Sequence, residues 1–368
     1  MAKKKKITLE CSVDSYRSGW TVVEFLAHRF KYHTPERWAQ RVTEGWVQVN
    51  GADVEPVQVV NKNDVISYTI WHAEPEVDFR FDVVYEDDFI LAVSKSGNIP
   101  VHASGVYIRN TLIATLKNIY GDHLNLAHRL DRETSGIVLL SKDARTARVL
   151  GKMFADGRVD KSYIAVVHGV VADDRFEVDA PIGKTTEEAT GRFDADALDS
   201  DLKDDLPRYV PRRLVDREKG KPAVTRFEVI ERRRGFTVVR AHPLQGRTNQ
   251  IRVHLEHIGH PILGDKVYGP SVGDEVDGAW VADKVDGAVG DNLYGHVGNN
   301  IDGPSTDVGI GESGQPAGPE NLAPLPVQRQ ALHCAELVFD HPVTGKPTKL
   351  SAELPPDMKK LISKLPVD

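Results

Sequence analysis

Cysteine is nearly absent from this chain: 368 residues carry only Cys11 and Cys334. Two sulfurs so far apart make no disulfide framework, and neither stands in a metal-ligand spacing, so a reducing, cytoplasmic setting is expected. Long apolar runs are missing too. None approaches the roughly 20 residues a membrane helix needs, so no membrane association is expected. The lysines that follow Met1 and Ala2 have no apolar stretch behind them, unlike a secretory leader. The chain also lacks a GxGxxG behind a strand, a phosphate-binding loop and an HExxH pair, so no nucleotide cofactor and no metal is expected. Nor is there an excess of positive charge, the formal net charge being -7.

That charge is unevenly spread. Acidic residues gather in Glu187–Asp205 and Asp274–Glu312, basic ones in Lys3–Lys6, Arg208–Arg217 and Arg226–Arg252, so a basic face is available despite the negative sum. Hydrophobic content of 40% and charged content of 27% are those of a globular protein. The length implies more than one folding unit.

Residues 1–14 read as a basic tail and 15–72 as a small module. Thr21–Phe30 has helical periodicity, Pro35 suits the start of a second helix, and Trp38, Val42 and Trp46 supply its apolar face. Val47–Val49 alternates into an Asn50-Gly51 turn, a hairpin signal, and Asp64–Ile70 alternates again. From residue 80 a second unit runs to the C-terminus. Val83–Tyr85, Phe89–Val93 and Ile99–His102 read as short strands, Thr111–Tyr120 and Ala144–Ala155 as helices, Ala331–Phe339 as a strand and Leu354–Leu365 as a terminal helix. Strands dominate, so the expected class is α+β around a mixed, mainly antiparallel sheet with flanking helices. Insertions at about 183–221 and 269–326 read as long loops, the second carrying Trp280 and Tyr294.

The densest chemistry lies in His128-Arg129-Leu130-Asp131-Arg132, a polar loop ahead of the buried-strand run Gly136–Leu140. Arg129 and Arg132 beside Asp131 favour its charged form, as nucleophilic or basic work requires, although the same pattern also suits a surface ion-pair loop. Two further segments stand out: Lys161-Ser-Tyr163-Ile-Ala165-Val-Val-His-Gly169, and Gly246-Arg247-Thr-Asn249-Gln250-Ile251-Arg252-Val-His254-Leu255 running into Gly259–Asp265.

HRLDRETSG followed by IVLLSKD resembles the signature of the RluA family of RNA pseudouridine synthases, and the other two segments fall in that family's order. The resemblance covers roughly residues 80 to 270 and resumes near 328. It implies a pseudouridine synthase catalytic fold, an isomerase needing no cofactor, and Asp131 as the catalytic carboxylate. It further implies Arg252 as basic partner, with Arg247 as alternate, and Tyr163 stacked on the uracil. Ile251 and Leu255 would line the pocket, and Arg129, with His128, would contact substrate as the target base flips out. Asn249 departs from the family's usual His and is not carried over.

Residues 15–72 resemble, more modestly, the alpha-L RNA-binding motif of a small-subunit ribosomal protein. Arg29, Lys31, Arg37 and Arg41 would then meet phosphate, though such residues also serve as an ordinary solvated face. The expected partner is RNA, ribosomal RNA of the large subunit before transfer RNA, with the chain a monomer. A catalytically silent RNA-binding or ribosome-assembly protein is the rival, and a carboxylate glycosidase lacks a second placed carboxylate. His254, His257 and His260 near Asp265 raise metal binding, but Gly259-His260-Pro261 breaks their common face.

Overall fold

The computed structural model describes residues 5–30, 33–72, 74–185, 212–269 and 328–367. At the N-terminal end, β1 (Lys5–Ser12), β4 (Val65–His72), β2 (Val47–Val49) and β3 (Ala52–Asp53) form a sheet in that spatial order. Helices α1 (Val22–Arg29) and α2 (Pro35–Thr43) complete it, and Phe25, Leu26, Trp38, Val42, Ile66 and Ile70 form its buried core. Local chemistry sets the helix starts. Thr21 and Glu24 make a reciprocal capping box on α1, while Thr34 caps α2 with Pro35 behind it. Asn50 and Gly51, at φ of 52° and 80°, turn β2 into β3.

The reading of residues 1–14 as a tail is corrected here. β1 pairs with β4 over eight residues, from Lys5 opposite His72 to Ser12 opposite Val65. Ile7, Leu9 and Cys11 face the module core at period two, an alternation that the flanking lysines obscure.

The second unit is a ten-stranded sheet whose main path runs β10-β13-β14-β9-β15-β8-β6-β5. Its strands are β5 (Phe81–Glu86), β6 (Ile90–Lys95), β7 (Asn125–Leu126), β8 (Ser135–Ser141), β9 (Asp160–His168), β10 (Arg175–Asp179), β13 (Val224–Arg233), β14 (Phe236–Pro243), β15 (Leu332–Asp340) and β16 (Pro347–Ser351). Every pairing is antiparallel except β8 with β15, so the class is the α+β expected. All seven residues of β8 are buried. Gly136, at φ 109°, is required where β8 meets β15: a Cβ there would lie 2.2 Å from the Cys334 carbonyl oxygen. Helices α3 (Leu112–Tyr120), α4 (Ala144–Ala155), α5 (Gln250–His257) and α6 (Pro356–Lys364) flank the sheet.

Two expectations change. Ile99–His102 is not a strand: the carbonyls of Pro100 and Val101 accept from Leu112 and Ile113 at the start of α3, so no neighbouring strand uses them. The first insertion opens and closes in a ribbon, β11 (Ile182–Lys184) against β12 (Arg213–Val215), and is not loop throughout. Its interior, and residues 270–327 of the second insertion with Trp280 and Tyr294, lie outside the described residues. Among the described residues no helix is long and apolar enough to cross a membrane.

Candidate active site

Asp131 lies in the loop between β7 and β8, fastened on both sides. The Ala127 N–H donates to Leu139 O at 3.0 Å and the Thr134 N–H to Asp131 O at 3.2 Å, while Leu130 is buried in the core. His128 belongs to this scaffold. Its Nε2 accepts the Leu139 N–H at 3.1 Å and its ring stacks on Phe154 at 4.8 Å, which places the neutral ring's proton on Nδ1. Burial drives its pKa down to about 3. His128 thus uses its Nε2 acceptor and one ring face to fasten the loop, a structural role beside the substrate contact expected of it.

Opposite Asp131 stands Arg252 on α5, its guanidinium shared between two carboxylates. Nε and Nη2 donate to Asp265 at 2.6 and 2.8 Å, and Nη1 donates to Asp131 Oδ2 at 3.0 Å. The Asp265 side chain is 0% exposed and that of Asp131 28%, so one partner is scaffold and the other is open to solvent. Asp265 also accepts the N–H groups of Val267 and Tyr268. Burial opposes the charge on Arg252, but the hydrogen bonds and charge of Asp265, then those of Asp131, outweigh it and raise its pKa. The Tyr268 ring lies 4.8 Å from the guanidinium carbon. Among the described residues Asp131 Oδ1 has no hydrogen-bond partner, so one carboxylate oxygen is anchored and the other is available.

Asn249 sits at the N-terminus of α5 with φ 58°, a left-handed conformation that Asn tolerates. Its Oδ1 accepts from Arg252 Nη1 at 3.3 Å and its Nδ2 donates to the Tyr268 hydroxyl at 3.1 Å. The departure from the usual His therefore supplies an uncharged bridge beside Arg252.

Tyr163, on β9, is paired in register with Cys334 on β15. Burial, then the neighbouring Cys334, then the charge of Asp131 push its hydroxyl well above the ordinary value, so it stays protonated at neutral pH. Burial likewise lifts the Cys334 thiol to about 12, which makes it a packed, unreactive group. Arg129 is exposed next to Asp131, with Nη1 3.3 Å from His102 Nε2.

The other expected residues divide. Ile251 keeps 6% exposure at the margin of the core, whereas Leu255 is fully buried in it and lines no open pocket. Arg247 turns away, its Nε donating to Pro222 O at 3.0 Å, which removes it as the partner of Asp131. Arg41 is 3% exposed, lying over Trp46 with Nη1 donating to Thr69 O, so it packs the small module and is not free for phosphate. Arg29 is exposed and Arg37 half-buried, while Lys31 lies outside the described residues. The histidines scatter: His254 bonds Thr225 and Ala180, and His260 bonds His168 O.

Several residues at this site carried no sequence signal. Lys95, at the end of β6, is buried and donates to Ser96 O and Arg132 O, both at 3.0 Å; burial first, then the charge of Arg329, lowers its pKa to about 7. Arg329 ties Glu133 O and Ser135 Oγ to Asp357 at the start of α6. Glu74, in the connection after β4, accepts the N–H groups of Ile108, Arg109 and Asn110 at 2.6 to 3.1 Å. The loop so held carries His102 toward Arg129, and Tyr107, whose hydroxyl accepts from Arg132 Nη1 at 2.5 Å. The pairing Asp265-Tyr268 could have been found, since both follow directly from the third motif.

A family model described as RNA pseudouridylate synthase matches residues 89–257, which include Asp131, Tyr163 and Arg252. The "Uncharacterized RNA pseudouridine synthase YlyB" of Bacillus subtilis (strain 168) is 29% identical over 92% of this chain and 93% of its own length. "Ribosomal large subunit pseudouridine synthase D" of Pseudomonas aeruginosa is 28% identical over 95% of this chain and 93% of its own. The mitochondrial "tRNA pseudouridine(32) synthase" of Saccharomyces cerevisiae is 32% identical over 67% of this chain and 50% of its own. With three motifs assembled around one carboxylate and these relatives along its length, the chain belongs to the RluA family of RNA pseudouridine synthases.

Proposed function

We propose that this chain converts uridine to pseudouridine in large-subunit ribosomal RNA with Asp131 as the catalytic carboxylate. The observation that carries this reading is the Asp131–Arg252 pair: one carboxylate oxygen fixed at 3.0 Å by a buried guanidinium, the other free. The reaction breaks the N1–C1′ bond, turns the uracil, and rejoins it through C5 to the same sugar. Asp131 acts on the sugar, either by attack on C1′ or by removing the 2′ proton. Arg252 orients the carboxylate in both cases. Tyr163 offers its ring to the uracil, and its protonated hydroxyl donates a hydrogen bond. Extruding a stacked uridine costs a few kcal/mol, and Arg129 fills the vacated place with a planar cation that stacks and binds phosphate. The chain needs no cofactor for this isomerisation and acts as a cytoplasmic monomer, with residues 5–72 as a second RNA contact.

Ribosomal RNA is favoured over transfer RNA because the alignment with the ribosomal enzyme spans nearly both chains, whereas that with the transfer-RNA enzyme spans half of the relative. Pseudouridine mapping of total RNA with and without the gene tests the proposal. We expect one or a few sites in large-subunit ribosomal RNA to vanish, wild type to restore them, and Asp131→Asn to lower turnover at least about 10³-fold, or about 4 kcal/mol, while RNA binding persists. Sites lost from transfer RNA instead would overturn the target, and full activity of Asp131→Asn would overturn the catalytic assignment.

A further inference from the structure

The small N-terminal module carries a cluster of rings at its outer end that the active site does not use. Tyr16 is 73% exposed, an unusual degree for a ring with partners. Its centroid lies 5.8 Å from Trp20 and 6.5 Å from His28, and Trp20 meets His28 edge-on at 5.1 Å. The Arg17 guanidinium carbon lies 5.8 Å from the Tyr16 centroid, and Arg17 Nε donates to His28 Nδ1 at 3.2 Å. Asp14 pairs with Arg17 and fixes the turn by accepting its N–H. Trp20 is tied by its backbone to Arg17 and Val60. The rings are thus held in place before any partner arrives, which lowers the entropy cost of binding.

The patch is also placed apart from the catalytic unit. β1 and β4 run antiparallel, so the end where Lys5 faces His72 is the end that reaches the catalytic unit, His72 Nε2 meeting Val106 O at 2.6 Å. Tyr16 follows the opposite end, where Ser12 faces Val65, roughly 23 Å away along eight residues of strand. Val59, bridged to Thr21 beside Trp20, is 51% exposed, exposed Lys62 reaches the same turn by its N–H to Ser18 Oγ, and exposed Arg29 follows His28 in sequence with its guanidinium over Phe30. Isolated exposed apolar residues need no explanation, but three rings in mutual tilted and edge-on contact beside a guanidinium form an organised surface.

We propose that Tyr16, Trp20, His28 and Arg17 form a stacking platform for unpaired bases of the RNA substrate, outside the pocket that takes the target uridine. Ring faces beside an arginine plane accept any unstacked base, and flanking cations follow the backbone. This deepens the RNA reading of the N-terminal module and rests on it. It also moves the expected contact from Arg41, which is buried, to a face that sequence periodicity did not mark.

The test uses the full chain and a fluorescein-labelled 12-nucleotide oligouridine, with affinity read by anisotropy at several salt concentrations and a blunt RNA duplex as comparison. Tyr16→Ala should weaken single-strand binding about tenfold with an unchanged salt slope, whereas Tyr16→Phe should bind as wild type. Arg29→Ala should instead lower the salt slope by about 0.7. Duplex binding should not respond to Tyr16→Ala, because paired bases offer no free face. Unchanged single-strand affinity of Tyr16→Ala, as a protein-docking surface would give, overturns the proposal. Equal losses on single strand and duplex overturn it too. Either failure leaves the effect of Asp131→Asn on turnover standing, so the two readings fall separately.

Discussion

Two buried cations reach the Asp131 loop from different sides and are handled in opposite ways. Arg252 is clasped by the carboxylates of Asp265 and Asp131, and its pKa is pushed up. Lys95 donates to two backbone carbonyls and to no carboxylate among the described residues, and its pKa falls to about 7. A guanidinium matched to a carboxylate pair keeps its charge at any working pH, while an ammonium held by neutral oxygens in a dry site keeps it only in part. The loop that bears Asp131 is therefore oriented by a permanent charge on one flank and braced by a titratable one on the other.

This contrast breaks most directly on removal of each cation. Arg252→Met leaves Asp265 buried without a counter-charge and should cost about 3–5 kcal/mol of stability, together with most of the activity. Lys95→Met removes a charge that burial already disfavours and should cost less than about 1.5 kcal/mol at neutral pH. Urea unfolding of the two variants measures both; equal losses would show that the two cations are not handled differently.

The pH dependence sharpens it. The folded pKa of Lys95 lies below its unfolded value near 10.5, so the unfolded chain binds the extra proton between about pH 7 and 10. Unfolding free energy should accordingly rise with pH across that window, by up to about 1.4 kcal/mol per unit, relative to Lys95→Met. Below pH 7 the lysine is protonated in both states and the difference should be flat. Arg252 contributes no slope in this range, and a flat difference from pH 7 to 10 would remove Lys95 as a titrating brace.

The smallest effect should come from Asn249→Ala. It withdraws one neutral acceptor from Arg252 Nη1 and one donor from the Tyr268 hydroxyl. Turnover at saturating RNA should fall about five- to tenfold, near 1 kcal/mol, with KM held. A loss confined to KM would mean that Asn249 serves binding and not the set of Arg252.

The sequence made Asp131, Tyr163 and Arg252 legible because each lies in a contiguous motif whose neighbours are the strands and helix that hold it. The helices near Thr21, Pro35 and Ala144 were legible from apolar periodicity and a helix-starting proline, while the caps at Thr21, Thr34 and Asp143 that fix their first turns are seen in the structure. What was hidden acts across the fold. Lys95 reaches Arg132 over 37 positions, Glu74 reaches Ile108 over 34, and Arg329 reaches Glu133 over 196. No periodicity records such contacts. Arg41 misled for a different reason: α2 has two faces, and an arginine can lie on the inner one if its head finds Trp46 and the Thr69 carbonyl. β1 was obscured by composition, its lysines drawing attention from the alternation of Ile7, Leu9 and Cys11.

β15 has a consequence for how the protein comes into being. It fills the gap between β8 and β9, so the half-sheet that follows Asp131 and the half-sheet that carries Tyr163 meet only through a strand made some 160 residues later. During synthesis on the ribosome the two halves have no shared edge until residues 332–340 emerge. The nascent chain thus holds its motifs early, and the strands that flank Asp131 and carry Tyr163 join into one sheet only when a late central strand takes its place between them.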